Sequence, residues 1–433
     1  MYKKLKYYLL NLTIVIKYNY LREASMNIID IIDKKRDGLS LSYDELDYAF
    51  SGYKRNEIED YQMSSLLMAI CINGMSDEEV YDLTDIFVKS GNVLDLSKIE
   101  GIKVDKHSTG GIGDKTTLIV TPIVASLGIK VAKMSGRGLG ITGGTIDKLE
   151  SIPSFKTALT TEEFIKEVND IGMCVCSQTE DLVSLDKVVY ALRDVTATSR
   201  SIPLIAVSVM SKKIATGADK ILIDIKTGRG ALLRTKEEAY NLRDLMIRIG
   251  SRYGKEVKCI ISNMDIPLGY CVGNSLEVAE AIEILSGNIK NNLYDLCVEI
   301  ASNMVSMATG ESLVSSSSKV INAINDKSAY NKFMEFVKYQ GGNIEKMKVS
   351  NEKIEIKSIK DGTIKNIDAL KIGEVSCMLG AGKMKKDNVI NHEVGVFINK
   401  KIGDKVKEGD VLCTLYVGNV KEDFDVISAF DIR

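Results

Sequence analysis

Residues 105 to 150 concentrate the side chains best able to do chemistry. Asp105-Lys106-His107-Ser108-Thr109-Gly110-Gly111-Ile112-Gly113-Asp114-Lys115 is followed by Lys133-Met134-Ser135-Gly136-Arg137-Gly138-Leu139-Gly140-Ile141-Thr142-Gly143-Gly144-Thr145. Glycine lets backbone N–H groups approach an anion with no Cβ in the way, and successive N–H groups form a concave nest. Lys106, Lys115 and Arg137 add positive charge, while Ser108, Thr116, Thr117, Ser135 and Thr145 supply hydroxyl donors. The two loops therefore predict a phosphate site, against the plainer reading of two structural turns. Gly138 to Gly143 also fits G-x-G-x-x-G, with Glu163 twenty residues beyond. A dinucleotide fingerprint needs a full helix after its third glycine, and Ile152-Pro153 comes too soon. Nor is Thr109 to Thr116 a P-loop, because Thr109 and Asp114 stand where that motif requires glycine.

A second group lies in Tyr190-Ala191-Leu192-Arg193-Asp194 and Ile202 to Lys213. A strand-like apolar run delivers Ser208; if a helix begins near Val207, Ser208 and Lys212 share a face at i and i+4. Arginine, serine and lysine so placed suit a planar ligand rich in acceptors. Spacing alone leaves the alternative open, in which Arg193 pairs with Asp194 and Lys212 is solvated.

These groups need elements to hold them. The 433 residues suggest two or three domains. A formal charge of −2 gives no reason to expect nucleic acid or an anionic membrane. The eight cysteines form no C-x-x-C pair and read as reduced core thiols of a cytoplasmic protein. Residues 1–25 imitate a signal peptide, but the apolar run is short and lacks a cleavage site, so an upstream start or disordered extension is expected. Residues 27 to 90 read as amphipathic helices, with capping boxes at Ser42 and Ser76. Met63, Leu67 and Ile70 recur at helical spacing, as core or dimer packing. Between 100 and 260 apolar runs (Thr117 to Leu127, Ile129 to Met134, Ile202 to Val209, Ile221 to Ile225) alternate with helical segments. That pattern predicts an α/β layer with largely parallel strands. Ser315 to Ser318 reads as a polar turn. From 345 alternating apolar and charged residues predict a mainly β domain, with a hairpin at Lys401 to Asp410; His392 has no constellation around it.

The run Lys-His-Ser-Thr-Gly-Gly-Ile-Gly-Asp, with Ser-Gly-Arg-Gly-Leu-Gly-x-Thr-Gly-Gly-Thr-Ile-Asp-Lys-Leu-Glu-Ser-Ile-Pro, resembles the pyrimidine-nucleoside and thymidine phosphorylases from about Met26 to the C-terminus. The resemblance implies a helical lobe making a homodimer contact (26–95 and about 160–193), an α/β domain (96–159 and 194–340) and a β-rich C-terminal domain (345–433). It implies phosphorolysis of uridine, deoxyuridine or thymidine to free base and pentose 1-phosphate, with inorganic phosphate as co-substrate and no required cofactor. Residue by residue, phosphate falls to Lys106, Ser108, Thr117, Ser135 and Thr145, and the base to Tyr190, Arg193, Ser208 and Lys212. His107 is the candidate proton donor to O2, acting with Arg193 and Lys212 in catalysis. Lobe closure would exclude water, with Gly101 and Gly228-Arg229-Gly230 as places for movement.

The family usually has His at Ile141, a small residue at Arg229 and Phe at Leu232, so substrate preference or rate is open. Some members bind a monovalent cation such as K+, and the matching positions are Gly113, Leu268, Cys271 and Glu280. Lys115 replaces a threonine ligand there and is placed to substitute for the ion. Lys133-Met134-Ser135 is nearer the broad-specificity branch. A thymidine-restricted enzyme, a weakened nucleoside-binding paralogue and a related phosphoribosyltransferase are the alternatives; the last needs carboxylates for Mg²⁺ that are not found beside the glycine loops.

Overall fold

Capping and apolar spacing set the first helices, α1 (Ile28–Arg36), α2 (Tyr43–Lys54), α3 (Asp60–Asn73) and α4 (Asp77–Lys89). Ser42 and Ser76 each close a capping box with the glutamate three residues on, as expected. The structure, a computed structural model, describes residues 26–138, 143–178, 182–383, 388–418 and 424–433. The expectations for residues 1–25 and for Ile141 lie outside them. The described residues form two units, one of 26–93 and 182–212, the other of 94–178 and 213–433. In the first, Met63, Leu67 and Ile70 of α3 are fully buried, so that triplet is core. Tyr61, Met68 and Ile72 on the same helix are instead 70%, 40% and 75% exposed.

The chain continues through β1 (Lys103–Ser108), α5 (Thr116–Ser126), β2 (Lys130–Ser135), α6 (Thr145–Glu150), α7 (Thr161–Ile171) and β3 (Met173–Ser177). Next come α8 (Ser184–Val195), α9 (Ile202–Ala215), β4 (Lys220–Thr227), α10 (Lys236–Arg252) and β5 (Glu256–Asn263). The five strands make one parallel sheet in the order β3-β2-β1-β4-β5, with β1 at its centre. Ligands of such sheets collect beyond the strand C-termini, where the first glycine loop leaves β1.

Two of the four apolar runs are helices, not strands. Thr117 to Leu127 lies largely in α5, buried from Thr116 to Ala125, and Ile202 to Val209 opens α9. An all-apolar run loses the period that tells a buried helix from a strand. Residues 160–178 also belong to the second unit and not to a helical lobe, because Phe164 and Val168 of α7 are buried where it packs on β2 and β3. Residues 194–212 conversely belong to the first unit, and the division falls within α9 between Lys212 and Lys213.

Beyond β5 run β6 (Cys271–Val272), α11 (Asn274–Leu285), α12 (Asn292–Thr309), α13 (Leu313–Asn325) and α14 (Ser328–Tyr339). Ser315 to Ser318 is helical within α13, whose N-cap is Ser312. The final stretch holds β7 (Lys353–Lys357), β8 (Gly362–Ile367), α15 (Ala369–Ser376), β9 (Gly395–Ile398), β10 (Lys405–Val406), β11 (Val411–Tyr416) and β12 (Phe430–Ile432). It is β-rich, but β6 adds to its sheet and Ile364, Val396 and Leu415 share one core with Val104 and Ile119. It is therefore part of the second unit, not separate from it. The β9–β11 pair is antiparallel, and its connection carries β10 to a second sheet beside β8. No described helix is long and apolar enough to cross a membrane.

Candidate active site

In the second unit β1 delivers Lys106, His107 and Ser108 at the C-terminal edge of the sheet, and β2 delivers Ser135 beside them. Alternation along β1 puts Lys106 and Ser108 on one face and His107, with Asp105, on the other. Lys106 is fully buried and donates to the Thr116 hydroxyl, and Ser108 donates to Asp114 Oδ2. Asp114 Oδ1 accepts from the Thr116 hydroxyl at 2.6 Å and the Thr116 N–H at 3.2 Å. Burial would raise the Asp114 pKa, but Lys226, Lys106 and these hydroxyls outweigh it and hold the carboxyl well below its usual range. Its charge thus orders the loop and is balanced by neighbouring cations.

Those cations form a network that local sequence does not reveal. Lys226 bonds Asp224 at 2.6 Å, and Lys106 lies 4.0 Å from the same oxygen. Lys213 bonds Asp105 at 2.7 Å, with Lys133 at 3.8 Å from its other oxygen and donating to the Lys106 carbonyl. Four buried ammonium groups face three carboxylates, the buried Asp105 and Asp224 and the half-buried Asp114. A buried cationic surplus is a fitting host for an anion.

Thr117 sits in the first turn of α5, whose N-cap residue Lys115 makes no side-chain cap. Thr145 opens α6 in the second glycine stretch. The two stretches are clamped by Lys148, which donates to the carbonyls of Asp114 at 2.9 Å and Gly143 at 2.7 Å. Gly144 admits no side chain, since a Cβ there would stand 2.3 Å from the Gly138 nitrogen and 2.4 Å from the Arg137 carbonyl carbon. Arg137 is not directed to phosphate: it forms a two-point pair with Glu150, one contact at 2.7 Å. Arg229 likewise turns to Asp368 at 2.9 Å, and Leu232 is half-buried.

The first unit gathers the second group. The expected i, i+4 pair forms: Lys212 Nζ donates to Ser208 Oγ at 3.0 Å and to Asp186 Oδ2 at 2.6 Å. The Tyr190 ring lies 5.7 Å from Lys212 Nζ and 5.6 Å from the Arg193 guanidinium carbon. Arg193 is buried and does not pair with Asp194. Its nitrogens donate to the carbonyls of Thr198 at 3.3 Å, Leu204 at 3.0 Å and Ser199 at 3.0 Å. Three of five N–H groups are used, and burial lowers its pKa from the usual value. Asp186 is the residue missed at the sequence level. Its signal was the spacing Asp186, Tyr190, Arg193, one face of α8 at i, i+4 and i+7.

Two outcomes test these assignments. Asp186→Asn removes a charge-assisted bond from Lys212, and turnover should fall about 10- to 100-fold, equivalent to about 1.5–3 kcal/mol; unchanged kcat/KM would show that Asp186 does not orient Lys212. Burial first, then Lys213, lowers the Lys133 pKa to about 7 against the partial compensation of Asp105. Between that value and the ordinary lysine value the unfolded chain holds the extra proton, so Lys133 contributes stability that rises with pH across this window. The thermal midpoint of wild type relative to Lys133→Met should climb from pH 7 to pH 10, and a flat difference would refute the buried, depressed ammonium.

Three family models match successive stretches of the chain. The glycosyl transferase family helical bundle domain matches residues 29–91, and the a/b domain of that family matches 100–330. A pyrimidine nucleoside phosphorylase C-terminal domain matches 363–431. The chain is 48% identical over 413 residues to a pyrimidine-nucleoside phosphorylase of Staphylococcus haemolyticus, covering 94% of this chain and 95% of that one. It is 48% identical over 398 residues to the enzyme of that name from Geobacillus stearothermophilus, at 90% and 92% coverage. A crystal structure of anthranilate phosphoribosyltransferase from Thermus thermophilus shares the fold, with TM-score 0.56, 16% identity and coverage of 72% and 99%.

Proposed function

The chain belongs to the pyrimidine-nucleoside phosphorylases of the glycosyl transferase family, and on that footing we propose that it transfers the pentosyl group of uridine, deoxyuridine or thymidine to inorganic phosphate. The observation that carries this reading is the buried cationic surplus around Lys106 at the glycine loops. It suits a phosphate dianion and leaves no need for a protein nucleophile.

Phosphate oxygen forms a bond to C1′ as the C1′–N1 bond breaks, leaving pentose 1-phosphate and the pyrimidine with the electron pair. Positive charge develops at the sugar and negative charge on the base. Lys106, Ser108, Thr117, Ser135 and Thr145 hold phosphate. Tyr190, Arg193, Ser208 and Lys212 hold the base, where Arg193 and Lys212 stabilise the developing anion as oxyanion-hole donors do. Their spare donors support this: among the described residues Arg193 retains two N–H groups, and Lys212 one, after the bonds described above. His107 supplies the proton to O2 of the leaving base. The reaction needs no cofactor and acts in pyrimidine salvage in the cytoplasm.

Base release followed by absorbance should stop when phosphate is withheld, for each of the three nucleosides. His107→Ala and Arg193→Ala should each lower kcat/KM by roughly 10²–10⁴-fold, the range of an acid or anion-stabilising group. Phosphate-independent hydrolysis, or full activity of both variants, would overturn the assignment. A homodimer is supported by the exposed stripe of Tyr61, Met68 and Ile72 on α3. Met68→Glu with Ile72→Glu should convert a dimer to a folded monomer in sedimentation velocity; an unchanged dimer would place the interface elsewhere.

A further inference from the structure

Lys115 ends the first glycine loop, and the residue is 1% exposed. Nζ donates to the Leu268 carbonyl at 3.1 Å, the Cys271 carbonyl at 2.7 Å and Glu280 Oε2 at 2.6 Å. An ammonium has three donors, and all three are spent. Glu280 is fixed in turn: Oε1 accepts from the Tyr270 N–H at 2.7 Å and Asn291 Nδ2 at 3.0 Å, and Oε2 from the Cys271 N–H at 2.9 Å. Two backbone carbonyls and one carboxylate oxygen thus converge on a single desolvated positive charge. Oxygen cages of this kind replace the hydration shell of a monovalent cation. Gly113 is part of the cage wall, because a Cβ there would lie 2.6 Å from the Leu268 carbonyl oxygen.

The cation implied by the family at Gly113, Leu268, Cys271 and Glu280 does not fit these residues. The oxygens already serve Lys115 Nζ, and a second cation among them would face a buried like charge at close range. Burial works to lower the Lys115 pKa, but Glu280, backed by Glu277, outweighs it and raises the value, which favours the charged form.

We infer that Lys115 is a built-in monovalent cation, making this chain independent of free K+ where a shorter residue would create a K+ site. Its work is positional. It ties the glycine loop to residues 268–271 and to α11, and the Leu268 N–H to Ile112 carbonyl bond at 3.1 Å reinforces the tie. The next residues on either side are Asp114, which orders Ser108, and Thr116, which receives Lys106. A cation in this cage therefore sets the phosphate loop without touching phosphate.

The test compares the full chain with Lys115→Thr in KCl, NH4Cl, NaCl and choline chloride at equal ionic strength. Thermal midpoint and phosphorolysis rate are both measured; the rate rests on the function proposed above, while the midpoint does not. Wild type should show the same rate and midpoint in KCl and choline chloride. Lys115→Thr should lose roughly 10- to 100-fold in rate in choline, as loss of an orienting partner does. KCl or NH4Cl should restore most of that rate and raise the midpoint with concentration, as a ligand of the folded state does. Stimulation or stabilisation of wild type by K+ over choline overturns the inference. So does a folded Lys115→Thr protein whose midpoint ignores K+ and NH4+. If the variant folds in none of the salts, wild type decides alone: indifference to K+ supports the inference and a K+ requirement refutes it. Wild type inactive in every salt would sink the phosphorylase reading and leave the thermal comparison standing.

Discussion

Charge held away from water is the constraint on which the second unit depends. Each buried ion forfeits several kcal/mol of hydration, and attraction between partners repays this only when geometry and hydrogen bonding are good. Asp105, Asp114 and Asp224 are each met by a lysine or hydroxyl from another element, Lys213, Thr116 and Ser262 in turn, so none of these carboxylates stands alone. The compensation stops one carboxylate short. Lys133 shows the cost, its pKa brought down to about 7 by burial first and by the neighbouring Lys213 second. An arriving dianion would relieve it, which makes anion binding and the protonation of the network parts of one equilibrium.

Such a network demands an immobile frame. Strand β1, at the centre of the sheet, supplies Asp105 and Lys106 in consecutive positions facing opposite ways. One side reaches Lys213, the other Asp114 and Thr116. Helix α5 begins with that threonine and is buried over its length, so the hydroxyl-bearing turn cannot drift without disturbing core packing. Lys148 then joins the second glycine stretch to the first through two carbonyls. Lysines hold the loops here by hydrogen bonds to backbone oxygen as much as by ion pairing.

The glycine loops, the helical opening, the parallel layer and the β-rich end were legible because glycine, capping residues and apolar period act locally. Ser208 and Lys212 were legible for the same reason. What was not legible depends on distant partners. Lys213 lies 108 residues from Asp105 and Lys115 lies 165 from Glu280, so no window of sequence shows that they meet. The partners of Arg137 and Arg229 were not legible either, because Glu150 and Asp368 reach them only through the fold. The runs at 117 and 202 lost their period through complete burial, and α7 was given to the wrong unit because its amphipathic face does not say which surface it covers.

Arg193 shows how one side chain can fix its backbone and still suit the base-binding role proposed for it. Its three bonds to carbonyls between Thr198 and Leu204 fix the turn that leads into α9, the helix carrying Ser208 and Lys212. A guanidinium that spends three donors on backbone is rigid, and rigidity is what an anion-stabilising donor needs if it is to cost no reorganisation as charge develops. Asp186 does for Lys212 what those carbonyls do for Arg193. A lysine alone would swing on its four-carbon stem, but with Asp186 at 2.6 Å and Ser208 at 3.0 Å its remaining donor has one direction left. The group proposed to hold the base is thus preorganised by bonds made within its own unit, and the group proposed to hold phosphate by bonds made within the other.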